Sequence, residues 1–219
     1  MEVNIFKHFH WIFQDREHTN LVCVYPRGAG KSFAALDWCM NRIITDEDPN
    51  ASAMIITNDL KKGKVTTRDP LTRYEEFAQR GILRYNENTG TIILQPTNKT
   101  SLQRKTIYLG SYNQRDTLRG YHVKYIVLDE ARDMPPNVYQ EVIVPIVKGL
   151  ETGGQFLIVG TPRGTNNILY QLYQEGQTDN PVTKSKLLTG VDLQYSQKRM
   201  NFYRETLSPA IFRQEIMCD

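Results

Sequence analysis

Cysteine is scarce in this chain of 219 residues, which has only Cys23, Cys39 and Cys218, widely spaced. No Cys-x-x-Cys pair or Cys/His cluster brings them together. The spacing argues against a disulfide framework or a structural zinc site and favours a reducing cytosol. No apolar run approaches the length of a membrane span. The N-terminus carries an acid and lacks a continuous apolar stretch, so we predict no signal peptide.

The chain also lacks a large excess of charge of either sign. The 27 basic and 24 acidic residues leave a net charge of +3 and a pI near 8.7. An excess this small permits contact with nucleic acid but does not argue for it. The chain also lacks low-complexity segments and internal repeats. Its length is sufficient for one sizeable core. Because the composition does not point to a function, the evidence for one must come from the sequence motifs.

Short apolar runs of β-forming residues alternate with helical patterns along the chain. The alternation predicts an α/β fold, with a mainly parallel sheet covered by helices on both faces. The strand candidates are Leu21–Tyr25, Ala53–Thr57, a hairpin over Ile82–Leu94, Thr106–Gly110, Tyr125–Leu128 and Gln155–Val159. The helix candidates are 31–44, 70–79, 136–147, 166–175 and 192–207. Lys61–Lys64 is predicted to be a basic loop, and the last forty or so residues a small helical lid.

The segment Pro26-Arg-Gly-Ala-Gly-Lys-Ser32 lies between a predicted strand and a predicted helix. In this context a glycine-rich loop binds phosphates, because its amides point inward at a positive helix N-terminus. Lys31 would place its charge on the β- and γ-phosphates, and the Ser32 hydroxyl would ligate magnesium. Tyr25 stands where the motif usually has its first glycine, so a glycine-rich turn before an ordinary helix is the alternative. The predicted nucleotide site comprises Arg27, Gly28, Ala29, Gly30, Lys31 and Ser32.

Two acids, Asp129 and Glu130, follow a short apolar strand candidate, as a Walker B motif requires. We predict that Asp129 holds magnesium and that Glu130 is the general base that polarises the attacking water. A pair of solvated acids at a strand end is the alternative. The adjacent glutamate favours hydrolysis over kinase chemistry.

Five features occur in an order that resembles the N-terminal ATPase domain of the terminase large subunits of tailed phages. They are Tyr25-Pro-Arg-Gly-Ala-Gly-Lys-Ser32, Leu118-Arg-Gly120, Asp-Glu-Ala at 129–131, Gly160-Thr-Pro-Arg-Gly164 followed by Asn167 and Tyr170, and Pro209 to Glu215. The resemblance spans nearly the whole chain. It implies a P-loop NTPase fold of the ASCE type over residues 1–219, with 165–219 as a candidate lid subdomain.

The resemblance also implies roles for three residues, and the place of Arg27 inside the loop suggests one for a fourth. Arg119 would be an arginine finger that reaches a neighbouring subunit's γ-phosphate, worth roughly 10³ or more in rate; capping the turn before Gly120 is the alternative. Thr161 would couple loss of the γ-phosphate to domain motion, or else satisfy a strand-end amide. Gln14 would recognise the adenine edge, or else lie on a helix surface. Arg27 would sense the nucleotide state or hold a neighbouring acid.

Basic residues between positions 61 and 73 are candidates for contacting the DNA backbone. Phosphate contacts carry no sequence information, which suits a motor that must move any genome. A solvated charged loop is the alternative, and composition slightly favours it. The candidates are Lys61, Lys62, Lys64, Arg68 and Arg73.

As a member of this family the chain would hydrolyse ATP with Mg²⁺ and drive double-stranded DNA into a procapsid. The resemblance implies a ring, a pentamer, docked at the portal vertex in the host cytoplasm, with the portal protein and the small terminase subunit as partners and no membrane. The family's RNase H-like nuclease domain would follow position 219, so we expect no nuclease activity here. The rival classes are another nucleic-acid-dependent ATPase, such as a helicase or replication protein, and a non-hydrolysing nucleotide-binding module.

Overall fold

Eight strands form one sheet in the computed structural model, which describes residues 5–95, 104–148 and 150–219. The strands are β1 Asn20–Val24, β2 Ser52–Thr57, β3 Leu83–Asn86, β4 Thr91–Leu94, β5 Lys105–Ser111, β6 Tyr125–Asp129, β7 Gln155–Gly160 and β8 Thr183–Leu187. Their order across the sheet is β3-β4-β5-β2-β6-β7-β1-β8. The β3-β4 and β4-β5 pairs are antiparallel, and every other pair is parallel.

Strand β7 lies between β1, which leads into the glycine-rich loop, and β6, which ends in the two acids. P-loop NTPases of the ASCE type have such a strand between the strand that leads into the phosphate loop and the strand that a catalytic glutamate follows. Here β7 is that strand, and Glu130 follows β6. The carboxyl ends of β1, β6 and β7 therefore open on the same edge of the sheet. That edge is where ligands bind in open parallel sheets.

The helices, like the strands, follow the predicted alternation. They are α1 His10–Gln14, α2 Lys31–Thr45, α3 Leu60–Thr72, α4 Glu75–Gln79, α5 Arg115–Leu118, α6 Pro136–Val138, α7 Val144–Ile146, α8 Ile168–Glu175, α9 Gln197–Thr206 and α10 Pro209–Phe212. A π-helical segment, Tyr139–Ile143, joins α6 to α7, and another, Arg213–Met217, follows α10.

Both faces of the sheet are buried. In β1, Leu21 and Cys23 enter the core that α2 covers, whereas Val22 and Val24 enter the opposite core, which contains residues of α8. Successive side chains of a strand point to opposite faces, so a strand covered on both sides must be apolar throughout. This is why the central strands could be recognised as apolar runs, and the predicted α/β fold is confirmed.

Two local predictions were wrong, and one strand was not predicted. Lys61–Lys64 is not a loop, because it forms the first turns of α3, capped by the Asp59 carboxylate on the Lys62 amide at 3.0 Å. Pro70 lies near the end of α3 rather than at the start of a helix. Strand β8 was missed, because it alternates buried and exposed residues at the sheet edge and only Thr183 is fully buried.

The segment 165–219 is divided between two places. Helix α8 and strand β8 belong to the main layers, with β8 paired to β1. The remainder, which includes α9, α10 and the π-helical segment Arg213–Met217, contacts the glycine-rich loop. A separately moving lid stays a prediction.

The three cysteines are free and buried. In the ranges that the structure describes, no helix combines the length and apolar character needed to cross a membrane.

Candidate nucleotide-binding site

The glycine-rich loop connects the end of β1 to the first residue of α2. Gly28 and Gly30 have φ values of 77° and 85°, in the left-handed region that favours glycine. A Cβ atom on Gly28 would collide with the Arg199 guanidinium, and one on Gly30 would lie 2.6 Å from the Phe6 ring. Both glycines are therefore required by torsion and by space.

Lys31, the first residue of α2, is buried, with only 8% of its surface exposed. Its Nζ donates to the Tyr25 and Pro26 carbonyls at 3.1 and 3.0 Å and to Thr161 Oγ1 at 2.9 Å. Burial lowers the pKa of Lys31, and the charges of nearby acids oppose that shift. The ammonium group thus links the glycine-rich loop to Thr161, the residue directly after β7.

Asp129 is buried at the end of β6, where its Oδ2 accepts from Ser32 Oγ at 3.5 Å. Burial and then the charge of Glu130 raise the pKa of Asp129 to about 6, while Lys31 opposes the shift. A desolvated carboxylate beside a hydroxyl provides two hard oxygen donors, the kind of ligand that Mg²⁺ prefers. Among the described residues no cluster of three His, Cys, Asp or Glu could hold a metal by itself.

Glu130 has a left-handed backbone, with φ 54°. Its Oε2 lies 3.3 Å from Nε of Arg132. Arg132 also donates from Nη1 to Glu215 Oε1 at 3.0 Å and to the Thr161 carbonyl at 3.4 Å. One guanidinium therefore contacts the predicted base, the predicted coupling residue and the C-terminal segment.

A cavity of about 440 Å³ lies over the loop and combines most of the predicted residues with several that the sequence did not single out. Four cations and three acids line it, which leaves a formal excess of one positive charge. Its lining is Arg27, Gly28, Gly30, Lys31, Ser32, Phe33, Lys62, Thr66, Asp69, Pro70, Glu130, Arg132, Thr161 and Glu215.

Four residues predicted for the site lie outside this lining, and one of them is Asp129, which is buried beside Ser32. Ala29 is buried within the loop, whereas Gln14 and Arg119 are exposed at the ends of α1 and α5. The structure does not bring Gln14 or Arg119 to the cavity of their own chain. The adenine contact of Gln14 and the trans role of Arg119 stay predictions.

Arg68 and Arg73, two of the candidates for contacting DNA, are held by acids of the same chain. Arg73 Nη1 lies 2.7 Å from Asp37 Oδ2, and its guanidinium packs 4.6 Å from the Phe33 ring centroid. Arg68 forms an exposed ion pair with Glu87. Arg73 therefore fixes α3 to α2, and this contact accounts for it without DNA.

The three lysines of the same group point to different places, although all lie on α3. Lys62 lines the nucleotide cavity, and its charge is near enough to Asp129 to oppose the rise in the pKa of that carboxyl. Lys64 donates to the Asn88 carbonyl at 3.1 Å, and Lys61 is exposed. A contact with the DNA backbone stays a prediction for Lys61 and Lys64, and the geometry favours a phosphate-site role for Lys62.

Sequence reasoning missed residues that hold the outer side of the loop. Arg199 Nη2 donates to the Arg27 and Gly28 carbonyls, both at 3.3 Å, and its guanidinium stacks 3.6 Å from the Tyr195 ring centroid. Tyr195 donates from its hydroxyl to the Arg27 carbonyl at 3.0 Å. Arg27 donates its backbone amide to the Glu215 carbonyl at 2.9 Å.

His8 supports the loop from the N-terminal side. Its Nε2 lies 2.9 Å from the Ala29 carbonyl, and burial lowers the pKa of this histidine. A neutral imidazole with its proton on Nε2 donates to that carbonyl. No local signal could have identified His8, because the contact joins residues that are 21 positions apart.

The model of the family "Terminase large subunit, T4likevirus-type, N-terminal" matches residues 22–216, which include the loop, both acids and the C-terminal segment. The chain belongs to the terminase large subunit family. The predicted family is therefore confirmed, and with it the assignment to the ATPase of viral DNA packaging. No curated protein sequence matches the chain.

Solved structures confirm the fold of this terminase domain. The large terminase ATPase domain of Thermus phage P74-26 is 18% identical, with a TM-score of 0.75 over 99% of this chain and 94% of that one. A large terminase from a thermophilic bacteriophage in complex with ADP is 14% identical, with a TM-score of 0.74 over 97% and 52%. The large terminase of bacteriophage HK97 is 12% identical, with a TM-score of 0.76 over 100% and 51%. The chain thus spans about half the length of the latter two proteins.

Proposed function

We propose that this domain binds ATP with Mg²⁺ and hydrolyses it to drive double-stranded DNA into a procapsid. The observation that carries the proposal is the arrangement around Lys31. The phosphate loop, Glu130 after β6 and Thr161 after β7 meet at one cavity, although Lys31 and Thr161 lie 130 positions apart. A phosphate-binding cation and a carboxylate held beside the same cavity are what phosphoryl transfer to water requires.

Each part of the site has a proposed role. The loop amides from Gly28 to Ser32 would bind phosphate oxygens at the N-terminus of α2, a helix of 15 residues whose dipole adds to their attraction. Lys31 would exchange its carbonyl partners for the β- and γ-phosphates. Arg27, exposed on the cavity lining, would contact the nucleotide.

Ser32 and Asp129 would hold the magnesium ion, which when bound neutralises charge on the phosphates. Glu130 would accept a proton from the attacking water as general base. The Arg132 contact keeps this carboxylate at the cavity, beside the site where the γ-phosphate would lie.

Thr161 would transmit the nucleotide state to the rest of the motor. Its hydroxyl accepts from Lys31 and its carbonyl accepts from Arg132, so a change at either cation reaches the segment after β7. The working assembly we propose is a ring, a pentamer, at the portal vertex in the host cytoplasm. Its partners would be the portal protein, the small terminase subunit and double-stranded DNA.

The first test compares Glu130→Gln with Glu141→Gln, a control at an exposed acid outside the cavity. We expect Glu130→Gln to retain binding of a fluorescent ATP analogue while phosphate release falls by roughly 10² or more, the range of a lost general base. Glu141→Gln should leave both unchanged. Unaltered turnover in Glu130→Gln would exclude the base assignment. Nucleotide binding by the wild type without any turnover, including with DNA and procapsids, would favour a non-hydrolysing module.

A further inference from the structure

Arg132 lies at the centre of the site, yet the proposed reaction has so far given it no contact with the nucleotide. Its Nη1 is shared between Glu215 Oε1 and the Thr161 carbonyl, and its Nε faces Glu130 Oε2 at 3.3 Å. Its charge also contributes to the lowered pKa of Lys31, so the two cations are close to each other.

The contact between Arg132 and Glu130 is an ion pair that lacks a well-aligned hydrogen bond. Both Nε of Arg132 and Oε2 of Glu130 are fully buried, and within the described part of the chain neither has an aligned hydrogen-bond partner. The two atoms lie at ion-pair distance without the geometry of a hydrogen bond. Buried groups left unsatisfied are destabilising, so this pair would be readily exchanged for a better partner.

We infer that Arg132 is a ligand of the γ-phosphate in its own subunit, and that it holds Glu130 until ATP arrives. The inference rests on the proposed nucleotide site. A phosphate oxygen offers a guanidinium a stronger, charge-assisted acceptor than the misaligned carboxylate does. When Arg132 turns to the γ-phosphate, the Glu130 carboxylate is released to accept a proton from water. ADP has no γ-phosphate and leaves the pair in place.

The same exchange links the nucleotide to the C-terminal segment. Glu215 binds Arg132 through its side chain and the Arg27 amide through its carbonyl. Movement of Arg132 toward the phosphate therefore changes the contact that holds Arg213–Met217 against the loop. Arg132 acts on the base as a positioning residue and on ATP as a ligand.

The test is the affinity of Arg132→Gln for ATPγS and for ADP, each measured with magnesium by calorimetry. We expect the affinity for ATPγS to fall about tenfold or more, the effect of one lost charged hydrogen bond, and that for ADP to change less than twofold. The control is Arg80→Gln, since Arg80 is exposed and paired with Glu76 at 3.8 Å far along the chain from the site. Arg80→Gln should bind both nucleotides like the wild type.

Arg132→Lys keeps the positive charge but loses the planar guanidinium with its several N–H donors, and it should retain part of the preference for ATPγS over ADP. It also serves as the readout if Arg132→Gln does not fold. Equal losses for ADP and ATPγS, or no loss for either, would refute the inference while leaving the proposed ATPase intact. A wild type that binds neither nucleotide would refute the proposed function itself, together with this inference.

Discussion

At Lys31 and Thr161, a cation and a hydroxyl that lie 130 positions apart in the sequence form one contact of 2.9 Å. Without a nucleotide, the buried ammonium is satisfied by this hydroxyl and two loop carbonyls. A buried charge needs such partners, because leaving it unpaired would be strongly destabilising. The three acceptors satisfy the ammonium group and direct it toward the loop.

Thr161→Val removes the hydroxyl while preserving the shape of the side chain. Because two carbonyls and the incoming phosphates still bind Lys31, we expect ATP hydrolysis to fall by no more than about tenfold, the lower range for one lost hydrogen bond to a charged group. DNA packaging should fall much further, since the link between the loop and the end of β7 is gone. Phosphate release and packaging into procapsids would be measured in parallel, with Thr161→Ser as the control that keeps the hydroxyl. Equal losses in both assays would contradict a coupling role.

The sequence could predict the residues of the phosphate loop and the acid pair, because each group is contiguous and follows a recognisable apolar strand. It could not predict Arg132, Arg199 or Glu215 as parts of the site. Arg199 contacts loop carbonyls 171 and 172 positions away, and no local spacing encodes such a meeting. Only the fold brings these cations and acids to the loop.

Among the elements, the central strands were predictable and the edges were not. Strands buried on both faces are apolar throughout, whereas β8 carries lysines on its exposed side and shows no such run. Helix α3 was obscured by Gly63 and Pro70, which normally indicate a break. Gly63 is needed because a Cβ there would lie 2.8 Å from Thr57 Oγ1, so helix packing explains it better than a turn does.

Strand β8 is anchored to the N-terminal region by Asp15, which follows α1. Its carboxylate accepts from Lys184 Nζ at 2.9 Å and from the His18 amide at 3.0 Å. Burial alone would raise the pKa of Asp15, but these hydrogen bonds outweigh it and hold the pKa at about 2. The ionised form is thus favoured in the folded chain, so its contribution is complete well above the unfolded pKa near 3.8 and is lost as the pH falls toward 2.

Asp15→Asn should therefore destabilise the domain by about 1–2 kcal/mol at pH 7, an amount kept below the full linkage value because Lys184 is half exposed. The difference in free energy of unfolding between wild type and variant should be roughly half as large at pH 3, because the ionised carboxylate stabilises the wild type less at that pH. Urea unfolding at both pH values would measure it, with the exposed Glu17→Gln as the control. A deficit independent of pH would show that the charge of Asp15 is not its cause.

For the whole molecule, the position of Arg119 bears on assembly. This residue is exposed at the end of α5 and absent from the lining of the cavity in its own chain. An arginine finger at such a position can serve only a neighbouring subunit. Turnover per protomer should then rise with protein concentration as subunits associate.

Arg119→Ala should lower turnover by roughly 10³, the usual contribution of an arginine finger. Mixing it with inactive Glu130→Gln should restore part of the activity, because a Glu130→Gln subunit can lend its Arg119 to an intact neighbouring site. Arg115→Ala, on the same helix, is the control. Phosphate release from the mixtures would be measured against concentration. A rate that is flat with concentration and shows no recovery on mixing would indicate a site that one chain completes.

The glycine-rich loop is held from both ends of the described sequence, by Phe6 and His8 on one side and by Arg199 and Glu215 on the other. During translation, the loop and its strand leave the ribosome long before the residues that fix its outer side. Contacts between residues so far apart in sequence also form slowly. A nascent or truncated chain that lacks Arg199 and Glu215 would therefore carry the phosphate-binding motif without its supporting contacts. We expect such a chain to bind ATP only after residue 215 has been synthesised.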